Sequence, residues 1–161
     1  MRPALDRFKE AQAQHASGFE SALFEIQSGR KRGHWIWYVF PQLSGLGRSA
    51  MSRIYGIAGN EEAEEYLRDP LLRSRYLTVV TAVTEQLSRG VSFDGLMNSS
   101  VDAMKVVSSL TLFGHVARRL HGVEGAAEYK SIADVADRLL QKADAEGYPP
   151  CRVTRDRLRG G

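Results

Sequence analysis

Asp69-Pro70-Leu71-Leu72-Arg73-Ser74-Arg75-Tyr76-Leu77-Thr78-Val79-Val80-Thr81-Ala82-Val83-Thr84-Glu85-Gln86-Leu87-Ser88-Arg89-Gly90 carries every mark of one complete helix. Asp69 is an N-cap, and Pro70 occupies the first helical position, where its missing N–H costs nothing. Leu72, Tyr76, Val79, Val80, Val83 and Leu87 recur at spacings of three and four, which puts them on one face. Gly90 ends the run. Such a stripe needs apolar partners, and its neighbours in sequence supply them in the same helical period.

Working outward, Asn60 is an N-cap for a helix to Arg68, with Glu61 and Glu62 in the first turn where the helix dipole favours carboxylates. Residues 4–28 read as one helix through Leu5, Phe8, Gln12, Phe19, Leu23 and Ile26, weakened by Gly18 and closed by Gly29. Residues 34–40, His-Trp-Ile-Trp-Tyr-Val-Phe, show no helical stripe and form an extended segment or a single helical turn. Pro41, Gly45 and Gly47 make 41–49 a loop, followed by a short helix at 50–55. Ser92 caps a short turn through Leu96, and Ser100 caps a helix holding Met104, Val107 and Leu110, which Gly114 breaks or bends. A last amphipathic helix spans 124–145. No strand alternation is convincing outside 35–40. The expectation is an all-α fold: one compact bundle of about six helices over 5–149, then a basic tail, solvated or flexible, over 150–161.

A chain of 161 residues with 43% hydrophobic and 25% charged residues is long enough to bury a core without disulfides or metal. The net charge of +3 lies wholly in the last eleven residues, where Arg152, Arg155, Arg157 and Arg159 face Asp156 alone. The preceding 150 residues balance, so a nucleic-acid-binding face is not expected. The longest apolar run, Trp35–Phe40, is too short to span a bilayer. The start, Met1 to Arg7, has no apolar leader region, and one cysteine, Cys151, excludes an internal disulfide. These features point to a cytoplasmic protein.

Several chemistries lack their motifs. There is no phosphate-binding Walker loop, no His-Glu-x-x-His, no cysteine cluster and no Gly-x-Ser-x-Gly elbow. His15, His34, His115 and His121 show no metal-ligand spacing, so neither metal nor cofactor is expected. Cys151, close to the tail, is a poor place for a buried nucleophile.

What remains is a polar and aromatic cluster from residues 30–49 and 102–113. Asp102 and Lys105 are spaced i, i+3, and Ser109 follows Lys105 at i+4, so the three lie near one helix face. Two readings stand beside each other. The pair is a surface ion pair of under about 1 kcal/mol; or Lys105 is partly buried against Trp35 or Trp37 as a nucleophile or anion anchor. Ser108, Ser109 and Thr111 are unusual in a helix interior, because their hydroxyls compete for backbone bonds. They are satisfied internally or line a pocket. Trp35, Trp37, Tyr38 and Phe40 are packing residues by default. With Arg30, His34, Gln42 and the Gly-x-Gly loop through Arg48, they also match what a nucleotide pocket uses.

The run Gly29 to Gly47, then Tyr55-Gly56-Ile57, Glu62-Ala63 and Tyr66-Leu67, then Asp102 to Phe113, together with Leu5, Arg7, Phe8 and Ala11-Gln12, closely resembles the bacterial family Domain of Unknown Function 1810. Some of its members carry the label calpastatin, which we regard as mistaken. The resemblance runs from residue 5 to about residue 120 and implies a small all-helical domain without an established activity. The sequence departs from the family at Leu96-Met97-Asn98-Ser99-Ser100, where a Gly-Pro-rich turn is usual, and at Leu110, where methionine is usual.

A fainter similarity to the NADAR family, linked to ADP-ribose, implies a nucleotide- or ADP-ribose-like ligand and hydrolysis of a glycosidic bond. In that reading Lys105 is nucleophile or anchor and Glu62 or Asp102 the acid/base. Trp35 and Trp37 stack on the base, while Arg30, Lys31 and Arg48 hold phosphate. His34, Gln42, Ser108 and Ser109 complete the ligand-binding set. The alternative is a non-catalytic binding or interaction module whose polar cluster is structural.

Overall fold

The computed structural model describes residues 3–160, so Met1, Arg2 and Gly161, which belong to the charged start and the tail, lie outside the described residues. The fold is all-α. Ten helices occur among the described residues: α1 (Pro3–Gln12), α2 (Phe19–Gln27), α3 (Ile36–Val39), α4 (Ala50–Tyr55), α5 (Asn60–Arg68), α6 (Pro70–Ser88), α7 (Phe93–Met97), α8 (Ser100–Glu124), α9 (Ala127–Ala145) and α10 (Arg152–Gly160).

The count exceeds the expected six for identifiable reasons. The stretch 4–28 is two helices, because the chain turns sharply before Gly18. A Cβ on Gly18 would lie 2.0 Å from the Gln14 carbonyl oxygen, a space only glycine leaves open. The aromatic segment is a single helical turn, α3. The C-terminal stretch, expected to be a solvated or flexible tail, is α10, and it buries Thr154 and Leu158.

Caps match at several ends and shift by one residue at others. The Asp69 carboxylate accepts from the amides of Leu71 (3.0 Å) and Leu72 (3.1 Å) with Pro70 at the first position. Ser92 accepts from Gly95 N–H. Ser99, not Ser100, caps α8 by accepting from Asp102 N–H at 2.9 Å, and α5 begins at Asn60 after Gly59. Gly114 neither breaks nor bends α8 into two helices. It lies against α9, where a Cβ would approach that of Ala136 to 3.0 Å, so glycine there permits close helix contact.

The 25-residue α8 is the axis of the bundle. Helix α9 lies along it; α5, α7, α10 and α3 pack on its other sides, and α6 joins α9, α2 and α5. The centre is aromatic. Phe113 of α8 meets Tyr66 of α5 at 5.0 Å and Tyr76 of α6 at 4.9 Å between ring centroids. Phe8 packs edge-on to Tyr66 at 5.1 Å. Each fully buried ring contributes roughly 1.5–3 kcal/mol, which fixes where the surrounding helices sit. The loop after α3 is pinned by a parallel bridge between Leu43 and Ile57. Ser44 N–H donates to Ile57 O at 2.8 Å, and Ile57 N–H to Gln42 O at 2.9 Å. Among the described residues, no helix is long and apolar enough to cross a membrane.

Candidate functional site

The aromatic segment and the start of α8 are neighbours, as the site hypothesis requires. Asn98 adopts a left-handed conformation (φ 62°), which turns the chain from α7 into α8. The first turns of α8 then face residues 31–49. Lys31 N–H donates to Leu96 O at 2.7 Å, tying the start of the aromatic segment to α7.

Two cations share one carboxylate here. Lys31 Nζ lies 2.9 Å from Asp102 Oδ2, and Lys105 Nζ lies 3.7 Å from Asp102 Oδ1. Each ammonium also sits over an indole: Lys31 over Trp35 at 5.1 Å, Lys105 over Trp37 at 5.4 Å. The two lysines differ in exposure. The Lys31 side chain is 7% exposed and also donates to Gly33 O, so it is consumed by structure. The Lys105 side chain is 21% exposed. Its contact with Asp102 is too long for a hydrogen bond.

Beside Lys105 opens a cavity of about 440 Å³. The loop contributes Gln42 and Arg48, α8 contributes Lys105 and Ser108, and the residue before α10 contributes Cys151. Exposed Val101 and Met104, 59% and 60% accessible, form an apolar rim. Arg48 and Lys105 are the charged lining residues, and no carboxylate lines the space.

The structure divides the expected set. Gln42, Arg48, Lys105 and Ser108 come together at the cavity, and Asp102 and Trp37 stand behind Lys105. Trp35 does not stack on anything in the cavity. It is fully buried, and its indole N–H donates to Glu25 Oε1 at 2.9 Å. Glu25 also accepts from the amides of Arg32 and Gly33. Burial alone would raise the Glu25 pKa, but these donors and Lys31 outweigh it and hold the carboxyl below its ordinary value.

Lys31 is buried under its own ion pair and does not line the cavity, and Arg30 is turned to Asn98 Oδ1 at 2.7 Å. His34 is exposed and does not line the cavity. Ser109 lies in the core, sharing a 2.9 Å hydrogen bond with the Tyr76 hydroxyl. Ser108 and Thr111 donate back to the carbonyls of Met104 and Val107. The hydroxyl run is therefore internally satisfied, with Ser108 alone also reaching the cavity.

Glu62 belongs to another junction. Both its oxygens accept from the Arg7 guanidinium at 3.1 Å, and Oε1 accepts from Ala58 N–H at 3.0 Å. Burial would raise its pKa, but Arg7 and the amide together hold it below the ordinary value. It offers no acid or base to the cavity.

Cys151 was the residue that sequence reasoning set aside. The chain returns through α9 and Pro149-Pro150 to place it beside Ser108, a contact no local signal encodes. Its sulfur accepts from Thr154 Oγ1 at 3.1 Å, and its amide donates to Thr111 Oγ1 at 3.2 Å. Among the described residues, Trp37 Nε1 is the one buried side-chain polar atom without a hydrogen-bond partner. No group of three or more histidine, cysteine, aspartate or glutamate side chains close enough to share a metal ion occurs among the described residues.

Residues 2–133 match the family model described as protein of unknown function, DUF1810. The match continues past residue 120, where the motif resemblance fades. The chain is similar to a crystal structure of the conserved hypothetical protein Rv1873 from Mycobacterium tuberculosis, at 33% identity over 96% of both chains with a TM-score of 0.74. No curated protein matches.

Proposed function

This chain belongs to the DUF1810 family, proteins of unknown function, and from its geometry we propose that the cavity beside Lys105 binds a small anionic ligand of the nucleotide class. The observation that carries this is the lining: two cations, Arg48 and Lys105, and no acidic side chain. A negatively charged group placed there meets two cationic donors and no carboxylate in the lining. The Lys105 ammonium is held in place by Asp102 on one side and the Trp37 face on the other. Its position is therefore set before a ligand arrives, which reduces the ordering cost of binding. Gln42 and Ser108 supply neutral hydrogen bonds, and Leu46 with Met104 supplies an apolar wall for a base or sugar face.

Binding is favoured over glycosidic-bond hydrolysis. Hydrolysis of that kind uses a pair of carboxyl groups flanking the bond. Here Glu62 is bound to Arg7, and Asp102 sits behind Lys105, paired with two lysines. The fainter likeness to an ADP-ribose-linked family makes ADP-ribose and ADP the first ligands to try.

The test is thermal unfolding with ADP-ribose, ADP and adenosine. A ligand at one hundred times its Kd stabilises by about 2.7 kcal/mol, which raises Tm by roughly 5–10 °C for a chain of this size. The phosphorylated compounds should produce the shift and adenosine should not. Arg48→Ala and Lys105→Ala should each remove most of it while leaving the unliganded Tm nearly unchanged. No shift at millimolar concentration, or an equal shift in both variants, would refute the assignment.

A further inference from the structure

Helix α10 borders a second cavity. This space, of about 390 Å³, lies between α8, α9 and α10. Leu140 and Leu158 are part of its apolar wall, and its ionisable lining is Arg118 and His115 from α8, Asp137 from α9, and Arg155 and Arg159 from α10.

The charges there do not balance. The one carboxylate, Asp137, is taken by the Arg118 guanidinium. Arg155 and Arg159 stand one helical turn apart, where like charges repel. Neither side chain has an ion-pair or hydrogen-bond partner among the described residues. The His115 imidazole reports the same excess. Burial first, then Arg119 and Arg118, lower its pKa from the ordinary 6.5, so at neutral pH it is an uncharged ring with an N–H to donate. Two unpaired guanidiniums side by side, over a partly apolar wall, suit the planar two-point recognition of a phosphate better than a lone carboxylate.

We propose that this second cavity is a phosphate site, taking a small phosphate- or diphosphate-bearing molecule between Arg155 and Arg159 of α10, with Arg118 and His115 of α8 at its flank. It is separate from the cavity beside Lys105: Arg48 and Lys105 line the first and not the second. Occupancy ties α10 to α8 and α9, and α10 follows directly on Cys151, a wall of the first cavity. A bound phosphate therefore steadies that wall as well.

Calorimetric titration with inorganic pyrophosphate, at constant ionic strength made up with sodium chloride, tests this directly. Pyrophosphate should bind the unmodified chain. Made in the Arg48→Ala/Lys105→Ala background, which strips the first cavity of its cations, Arg155→Ala/Arg159→Ala should weaken pyrophosphate binding at least tenfold, and both substitutions are at exposed positions. The variant Arg48→Ala/Lys105→Ala should retain second-site affinity within about twofold. Undiminished binding by the α10 variant, loss of all binding in the Arg48/Lys105 variant, or no binding to the unmodified chain overturns the proposal. Because the two variants separate the cavities, failure of the nucleotide assignment leaves this result readable.

Discussion

Replacing Lys31 by methionine keeps the aliphatic stem and removes the ammonium that lies between Asp102 and Trp35. At 2.9 Å the attraction to Asp102 is about 6 kcal/mol at an effective dielectric of about 20. Desolvation of both groups cancels most of that. The Asp102 side chain is 19% exposed and keeps Lys105 at 3.7 Å, so water and the second lysine soften the loss. What remains is the worth of a charge-assisted hydrogen bond, about 1.5–3 kcal/mol. For a domain of this size that corresponds to a Tm lower by roughly 3–12 °C. Asp102→Asn should cost a similar amount, since it leaves Lys31 buried without its counter-charge. The double variant should cost clearly less than the sum, and the coupling from a double-mutant cycle in urea should be about 1.5–3 kcal/mol. A coupling below about 0.5 kcal/mol, the level of an exposed pair, would refute the reasoning. The same variant bears on the site: Lys31 does not line the cavity beside Lys105, so Lys31→Met should leave nucleotide affinity within a few-fold of the unmodified chain.

Ser109→Ala strips the buried Tyr76 hydroxyl of its 2.9 Å partner, and should cost about 1–3 kcal/mol. Adding Tyr76→Phe should restore part of that in equilibrium unfolding, whereas a further full loss would mean the hydroxyls do not depend on each other. The lowered pKa of Glu62 means its carboxylate stabilises the fold above the ordinary 4.5, and that this contribution is lost as pH falls through the folded-state value. Glu62→Gln should therefore flatten the acid limb of the stability–pH curve below about pH 5, and an unchanged limb would contradict the Arg7 pairing. Burial raises the Cys151 pKa, but the hydrogen bond from the Thr154 hydroxyl, the neighbouring Ser108 hydroxyl and the amides of Thr154 and Val153 outweigh it, bringing the thiol below its ordinary 9.0. Alkylation by iodoacetamide should show a pH midpoint under 9.0 that rises in Thr154→Val. A ligand in the first cavity should slow the reaction, while a midpoint at or above 9.0 would count against the geometry at the start of α10.

The sequence by itself determined the helical class and most helix positions, because apolar period and capping chemistry act within a few residues. Asp69-Pro70, Ser92 and the stripe from Leu72 to Leu87 needed no tertiary knowledge. It also marked Lys105, Arg48, Gln42 and Ser108 as residues to watch. Only the tertiary structure decided which of the marked residues share a space. Lys31 and Lys105 look alike in sequence, yet one is enclosed by Asp102, Trp35 and the Gly33 carbonyl, and the other is left facing a cavity. For the same reason Glu62 is bound to Arg7 away from the cavity, while Cys151 lines it. Contacts such as Arg7 to Glu62, or Cys151 beside Ser108, join residues more than forty positions apart, and they arise from helix packing that no local pattern records.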